Sequence, residues 1–438
     1  MLPNERITEY CRQAAEQIRW KRARPAVIRE LEQHLQDQQE TYMEQGSTQE
    51  QAVQMAIAQM GDAREVGQAL DQAHRPQPPW FPLLVVMGLL VLGAALQVAL
   101  GQQMAPLISY AVAAGLFVLG YFGDISWLGK HAMEIYLGVL VFSVALLIGS
   151  EPMAGAAVFH LEPIHLQLCY LALVFPSAYG LFLYGMKGLG TRGILFSILG
   201  YLPFALILML VPALSGLLIY SAAAGVMLAA AIRKNWFGAG QIHFVLKLAV
   251  PVLLPAGALA AAFLSVGGTR LQVFLNPWLD AADTGRIYCL LRDAVAQAAF
   301  WGEGRADLSM IPALSENYAL LYGIQKFGLG AFAGVMLLVL AFGVFCIIGA
   351  MRQRSMLGTL LVLAAALTVT LQAFVYAYAN LGYGLWDALS FPFLSRGNTA
   401  LLLDALLVGM MLSVLRTGAW VRDSEHPQRG IRILRIER

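Results

Sequence analysis

Apolar runs close to twenty residues long recur along this chain from residue 80 to residue 416. A helix needs roughly 20 such residues to cross hydrocarbon about 30 Å thick, and inside it every backbone group must pair internally. The runs are continuous stretches of Leu, Ala, Val and Gly without the alternation of barrel strands, so they read as helices. With 58% hydrophobic and 13% charged residues, the chain lies outside the range of soluble proteins. The expected fold is all-α: a polytopic membrane protein with about ten transmembrane helices and a small N-terminal cytoplasmic helical bundle. The spans fall at roughly 80–100, 104–122, 132–150, 168–187, 193–212, 214–232, 247–266, 318–349, 356–380 and 398–415.

Basic residues set the expected orientation. Lys130, Lys187, Arg192, Arg233, Lys234, Arg352, Arg354, Arg416 and Arg422 fall on one side under this count, and loops 101–103 and 151–167 carry no Lys or Arg. Both termini are therefore expected in the cytoplasm of a multi-pass bacterial plasma membrane protein. The basic tail, 417–438 with Arg429, Arg432, Arg435 and Arg438, is a solubilising end or a contact for anionic lipid. Four cysteines offer no plausible pair outside the membrane, and the charged N-terminus lacks the apolar core of a signal peptide. The net charge of +2, without a basic stripe, argues against nucleic acid.

Residues 1–75 differ from the rest. Ile7, Tyr10, Cys11, Ala14 and Ile18 recur at helical spacing, and a second helix begins near Pro25 and stops at Gly46. Ser47 to Glu50 reads as a capping box for a third helix, while Gly61-Asp62 ends that helix and caps a fourth. Residues 76–79 read as a stiff linker into the membrane domain, 80–416.

One long polar stretch interrupts the apolar pattern. Arg270 to Asn317 carries six acids (Asp280, Asp283, Asp293, Glu303, Asp307, Glu316) and four arginines. It sits in the expected external loop, 267–317, where charge can meet a substrate or a partner.

Two blocks carry a resemblance. The first is Leu275-Asn276-Pro277-Trp278-x-Asp280, preceded by Arg270 and followed by Trp301-Gly302-x-Gly304. The second is Gln372-Ala373, Asn380-Leu381-Gly382 and Phe391-Pro392-Phe393-Leu394-Ser395-x-Gly397. Together they resemble the SEDS family (FtsW, RodA, SpoVE), whose members have ten spans and a large external loop between spans seven and eight. The N-terminal bundle, through Glu30-Leu31-x-x-His34-Leu35-x-Asp37 and Gly61-Asp62, is similar to the permease-prefix type found ahead of various membrane proteins.

The resemblance implies a peptidoglycan glycosyltransferase that polymerises lipid II in cell division or cell-shape growth. Its implied partners are a lipid-linked peptidoglycan precursor, a class B penicillin-binding protein and membrane lipid. Such chemistry needs a base near the acceptor hydroxyl, charge stabilisation at the leaving pyrophosphate and a groove for lipid tails. Substrate-binding candidates are Arg270, Asp280, Arg396 and Ser395, with guanidinium groups suited to pyrophosphate oxygens. The resemblance itself names no cofactor. A divalent cation fits the chemistry, with Asp280 as its contact.

The departures fall on residues the family chemistry uses. Counting from Pro312, the family's proposed catalytic aspartate aligns with Asn317, whose amide cannot take a proton at neutral pH. Glu316 is the neighbouring carboxylate and the candidate substitute base. The paired glutamates downstream become Gln325 and Lys326, and a Gln-Pro-Asp triplet in span five becomes Val211-Pro212-Ala213. A non-catalytic protein that binds a lipid-linked precursor or partner and regulates wall synthesis is therefore the alternative.

Other residues carry bland readings beside sharp ones. Arg396, at a family tyrosine position, grips pyrophosphate or snorkels at the membrane edge. Asp404, at a family asparagine position, makes an interhelical hydrogen bond or serves a proton relay. Trp278 and Trp301 stack on sugars or form an interfacial belt. His160-x-Glu162-x-x-His165 resembles metal ligands, but Pro163 breaks any helix that would align them. No repeat is visible, which counts against a transporter.

Overall fold

The computed structural model describes residues 3–21, 24–100, 104–153, 156–161, 164–211, 213–238, 268–283, 285–312, 314–383, 389–395 and 398–418, with isolated positions between 239 and 267. It divides into two compact units, Met1–Gln77 and Pro78–Arg438.

The first unit is four helices: α1 (Pro3–Glu16), α2 (Arg24–Glu44), α3 (Gln49–Met60) and α4 (Ala63–His74). Their apolar stripes bury Ile7, Cys11, Ala14, Ile18, Val27, Leu35, Val53 and Ala56. The third helix starts one residue later than its sequence pattern suggests. Thr48 is the N-cap, and its N–H donates to Gln51 Oε1 at 3.3 Å. Both Ser47 and Thr48 satisfy the spacing, and the chain uses the second. Asp62 Oδ1 accepts from Arg64 N at 2.8 Å and Glu65 N at 3.3 Å, which caps α4.

The second unit is the membrane domain. Its apolar helices are α5 (Trp80–Ala99), α6 (Met104–Phe122), α8 (Ala132–Ile148), α9 (Phe175–Gly185), α10 (Gly190–Leu210) and α11 (Leu214–Arg233), with the short α7 (Ser126–Lys130) before α8. Three helices of the polar stretch follow, α12 (Gly268–Leu275), α13 (Arg286–Ala296) and α14 (Leu314–Asn317), and α15 (Ala319–Phe327) comes directly after it. The last apolar helices are α16 (Leu329–Met351), α17 (Met356–Tyr378) and α18 (Asn398–Thr417). Among the described residues, seven helical stretches are long and apolar enough to cross a membrane, and two shorter apolar helices accompany them. The expected seventh span, 247–266, lies largely outside the described residues.

Two elements depart from the sequence reading. Residues 151–167 are not a plain loop but a three-stranded antiparallel meander, β1 (Glu151–Met153), β2 (Ala156–Leu161) and β3 (Ile164–Gln167). His160 pairs with His165 in its register, while Glu162 and Pro163 lie outside the described residues. The expected span 318–349 is two helices, because Gly328 adopts φ +94° between α15 and α16. A Cβ there would lie 2.5 Å from Phe300 O, so only glycine admits this turn.

Position in the bundle follows from burial. α17 is central, with 83% of its apolar window buried, whereas α16 has 28% buried and presents Leu337, Leu340, Val344 and Phe345 outward. Small residues bring α6 and α18 together. A Cβ on Gly409 would meet Phe117 O at 2.5 Å, and one on Gly120 would meet Leu406 O at 2.9 Å.

Candidate active site

The polar stretch folds over its own small core of Leu291, Ala294, Ile311 and Leu321. From there it is fastened to α17. Directly after α17 the chain makes a π turn, Ala379–Tyr383, with Gly382 at φ +82°. Such turns break the regular ladder and free polar groups for other partners.

Asn380, fully buried in that turn, does three things. Its Nδ2 donates to Asn317 O at 3.0 Å and to Tyr376 O at 2.9 Å, and its Oδ1 accepts from Leu321 N at 3.1 Å. One turn earlier on α17, Tyr376 Oη accepts from Ala319 N at 3.0 Å. Ala319 and Leu321 are among the first N–H groups of α15, which have no acceptor within the helix. Side chains of α17 and of the π turn therefore cap α15 from outside and fix the backbone at 317–321. Burial pushes the neighbouring Tyr318 hydroxyl up to about 12, so it stays neutral.

Arg292 is the second fastening. Its Nε donates to Gly382 O and its Nη2 to Phe274 O, both at 3.0 Å. The guanidinium lies 4.3 Å from the Tyr383 ring centre and 5.5 Å from that of Trp278. A Cβ on Gly382 would come within 2.7 Å of Arg292 Cγ. Nothing in the sequence singled Arg292 out among the four arginines. Its partners are carbonyls 18 and 90 residues away, which no local spacing encodes.

Gln325 is the third. It is buried, its Nε2 donates to Ala294 O at 2.5 Å, and its Oε1 accepts from Ala306 N at 3.3 Å. Gly304 packs so closely that a Cβ would meet Gln325 Oε1 at 2.0 Å. At this position the amide is a clamp that uses both its donor and its acceptor. Beside it, Lys326 and Glu303 form an exposed ion pair that lowers the Glu303 carboxyl and raises the Lys326 ammonium.

Of the expected site residues, Asn317, Asp280 and Ser395 are described with their side chains. Asn317 ends α14 with an exposed side chain, while its carbonyl is held by Asn380. Glu316 precedes it in the same single helical turn, where successive positions are about 100° apart. The side chain of Glu316 lies outside the described residues, as do that of Arg270 on α12 and the whole of Arg396. Asp280 closes a 3-10 turn, Pro277–Asp280, and its carbonyl accepts from Gly285 N at 2.9 Å. Ser395 is buried, and its Oγ accepts from Phe391 N at 2.7 Å, closing a turn in which Phe393 has φ +64°. That turn is gripped from spans one and two, where Gln97 Nε2 donates to Leu394 O at 3.2 Å and Tyr110 Oη to Phe393 O at 2.9 Å.

An apolar groove of about 230 Å³ runs beside this frame. Leu92 and Leu96 of α5, Leu320 and Ile324 of α15, and Phe332 and Val335 of α16 line it. Leu320 is three residues from Asn317, so the groove starts where the polar frame ends.

Comparisons with known proteins agree with this architecture. No family model matches the sequence. The probable peptidoglycan glycosyltransferase FtsW of Nitrosococcus halophilus is 25% identical over 300 residues, 66% of this chain and 75% of that one. The FtsW of Caulobacter vibrioides is 24% identical over 299 residues, 66% and 72% respectively. Other FtsW relatives match over less; for one from Thioalkalivibrio sulfidiphilus the chain spans 50% of its length. Among solved structures, the rod shape-determining protein RodA of Thermus thermophilus superposes with a TM-score of 0.55 at 18% identity, over 78% of this chain and 97% of that one. A chain from a peptidoglycan synthase complex, studied for the coordination of polymerisation and crosslinking, gives 0.59 at 19%, over 78% and 99%.

The fold is that of a multi-pass α-helical membrane protein, similar to the fold of RodA. In sequence the chain is similar to the FtsW proteins, and together these likenesses support the resemblance to the SEDS family.

Proposed function

We propose that this protein takes a lipid-linked peptidoglycan precursor at the 317 frame and polymerises it on the outer face of the bacterial plasma membrane, with both termini in the cytoplasm. The observation that carries this reading is the apolar groove opening beside a backbone held by Asn380 and Tyr376. A lipid tail needs the first and a reacting sugar needs the second.

In this reading an acceptor hydroxyl attacks the anomeric carbon of a donor sugar. The new C–O bond forms as the bond to pyrophosphate breaks, and the lipid pyrophosphate leaves with the electron pair. The hydroxyl proton goes to a carboxylate, for which Glu316 is the candidate, since Asn317 has only an amide. Arg270 and Arg396 are assigned to the pyrophosphate. Among the described residues no three His, Cys, Asp or Glu side chains gather to hold a metal, so Asp280 alone is assigned to a divalent cation and no step runs through it. A class B penicillin-binding protein is the proposed partner, and residues 1–75 the proposed prefix-type domain.

A second reading, precursor binding without catalysis, is favoured by one pair of observations: position 317 holds an amide, and Gln325 spends both its polar atoms on the fold. Lipid II polymerisation by the purified protein, with and without class B partners, separates the two. Strands from wild type that vanish in Glu316→Ala establish a relocated base. Strands only from Asn317→Asp establish a scaffold lacking its base. Silence from all three beside a working homologue removes the polymerase reading.

A further inference from the structure

Asp404 sits fully buried on α18, where an ionisable side chain is costly and persists when something depends on it. Its Oδ2 accepts from Gln372 Nε2 at 3.2 Å. The same Nε2 donates to Ser390 O at 2.9 Å and approaches Ser390 Oγ at 3.0 Å. Gln372 is itself fully buried on α17.

Gln372, Tyr376 and Asn380 follow one another at intervals of four, which places them along one helix face. Each holds a different part of the frame. Gln372 holds the start of the 390–395 turn. Tyr376 holds Ala319 through its hydroxyl, and its backbone carbonyl accepts from Asn380 Nδ2. Asn380 holds Asn317 and Leu321. Three side chains of one face thus form a ladder that reaches from Asp404 to the backbone at 317–321.

We propose that Asp404 is a positioning residue for the 317 site: by fixing the amide of Gln372 it sets the polar face of α17 that holds α15 in place. This rests on position 317 being the reacting end of the site.

The ladder is not built for stability alone. Asp404 Oδ1 and Gln372 Oε1 are both buried with no hydrogen-bond partner among the described residues. Replacing a buried polar group by an apolar one of similar shape can be nearly neutral when its partner stays satisfied, and Gln372 Nε2 keeps Ser390 O and Oγ. A residue kept only for packing would not leave two acceptor oxygens unmatched.

The test uses the full-length protein with Asp404→Leu and Asp404→Asn. Amide hydrogen exchange is read at Ala319 and Leu321, whose acceptors are the ladder side chains. Polymerisation is read as kcat and KM. For Asp404→Leu the proposal expects an unchanged or raised melting temperature, exchange at both amides faster by about tenfold or more, and kcat lower by about tenfold or more with KM little changed. Asp404→Asn keeps an acceptor for Gln372 Nε2 and restores both readings. Unchanged exchange in Asp404→Leu overturns the proposal. So does an Asp404→Asn protein as impaired as Asp404→Leu, or a loss of folding that accounts for the lost activity. If wild type makes no glycan, the function reading fails, while the exchange readings still decide the role of Asp404.

Discussion

The side-chain amide of Asn380 donates to the backbone carbonyl of Asn317 across 3.0 Å and 63 residues of sequence. The position where the family places its aspartate is thus set from the π turn after α17, through its backbone carbonyl.

Asn380→Leu removes one acceptor and two donations in a buried place. The expected cost is about 2–4 kcal/mol, from unmatched groups at about 1–3 kcal/mol each that partly relax. Chemical denaturation in detergent measures it, and a cost under about 0.5 kcal/mol would mean that water replaces these bonds freely.

Two substitutions toward the family pattern should behave oppositely. Asn317→Asp alters an exposed side chain and leaves the carbonyl bond intact, so stability should change by less than about 0.5 kcal/mol. Gln325→Glu removes the donor facing Ala294 O and buries a carboxylate against a carbonyl. A loss of about 2–3 kcal/mol is expected. Parallel melting curves check the contrast, and equal effects would contradict it.

Arg292→Lys keeps the charge but cannot fork onto Gly382 O and Phe274 O while lying against two rings. A loss of about 1–2 kcal/mol is expected, along with faster proteolysis within 268–312. Identical digestion of wild type and variant would show that this segment is held by its own core instead.

The Glu303–Lys326 pair gives a weak pH dependence. The Glu303 carboxyl is lowered, so its contribution is present above its ordinary value and is lost as pH falls through the lowered one. The Lys326 ammonium is raised, so its contribution is present below its ordinary value and is lost as pH rises through the raised one. Both groups are exposed, so screening keeps the effect small. Glu303→Gln should flatten the acid side of a melting-temperature profile slightly at low salt and leave it unchanged at high salt. A shift that survives high salt would contradict this.

Much of the architecture was legible because it is local. A run of twenty apolar residues forms a span whatever surrounds it, as α5 and α18 do, and a Gly-Asp pair between helical stripes makes a stop and a cap, as at 61–62. The break at Gly328 was hidden because α15 is itself apolar on one face and merges with α16 in hydropathy. The meander at 151–167 was hidden because its three strands are short and mostly apolar, without a Gly-Asn type of turn signal. At the site, motif matching reached Asn317, Asp280, Ser395, Gln325 and Gln372 but not Arg292, and the clamping roles of Arg292, Gln325 and Gln372 act through partners 18 to 90 residues away. The matched motifs mark which residues belong together; distances are needed to show that Ser395 closes a turn and that Asn380 holds position 317.

The most direct measurement is photo-crosslinking of a lipid-linked precursor carrying a photoreactive tail to the protein in membranes, with the adducts mapped. The account predicts adducts on groove residues such as Leu320 and Phe332, competed by unlabelled precursor and reduced at least severalfold by Phe332→Trp, which fills a groove of about 230 Å³. Adducts confined to the outward face of α16, at Leu337 and Val344, and indifferent to competitor, would contradict it.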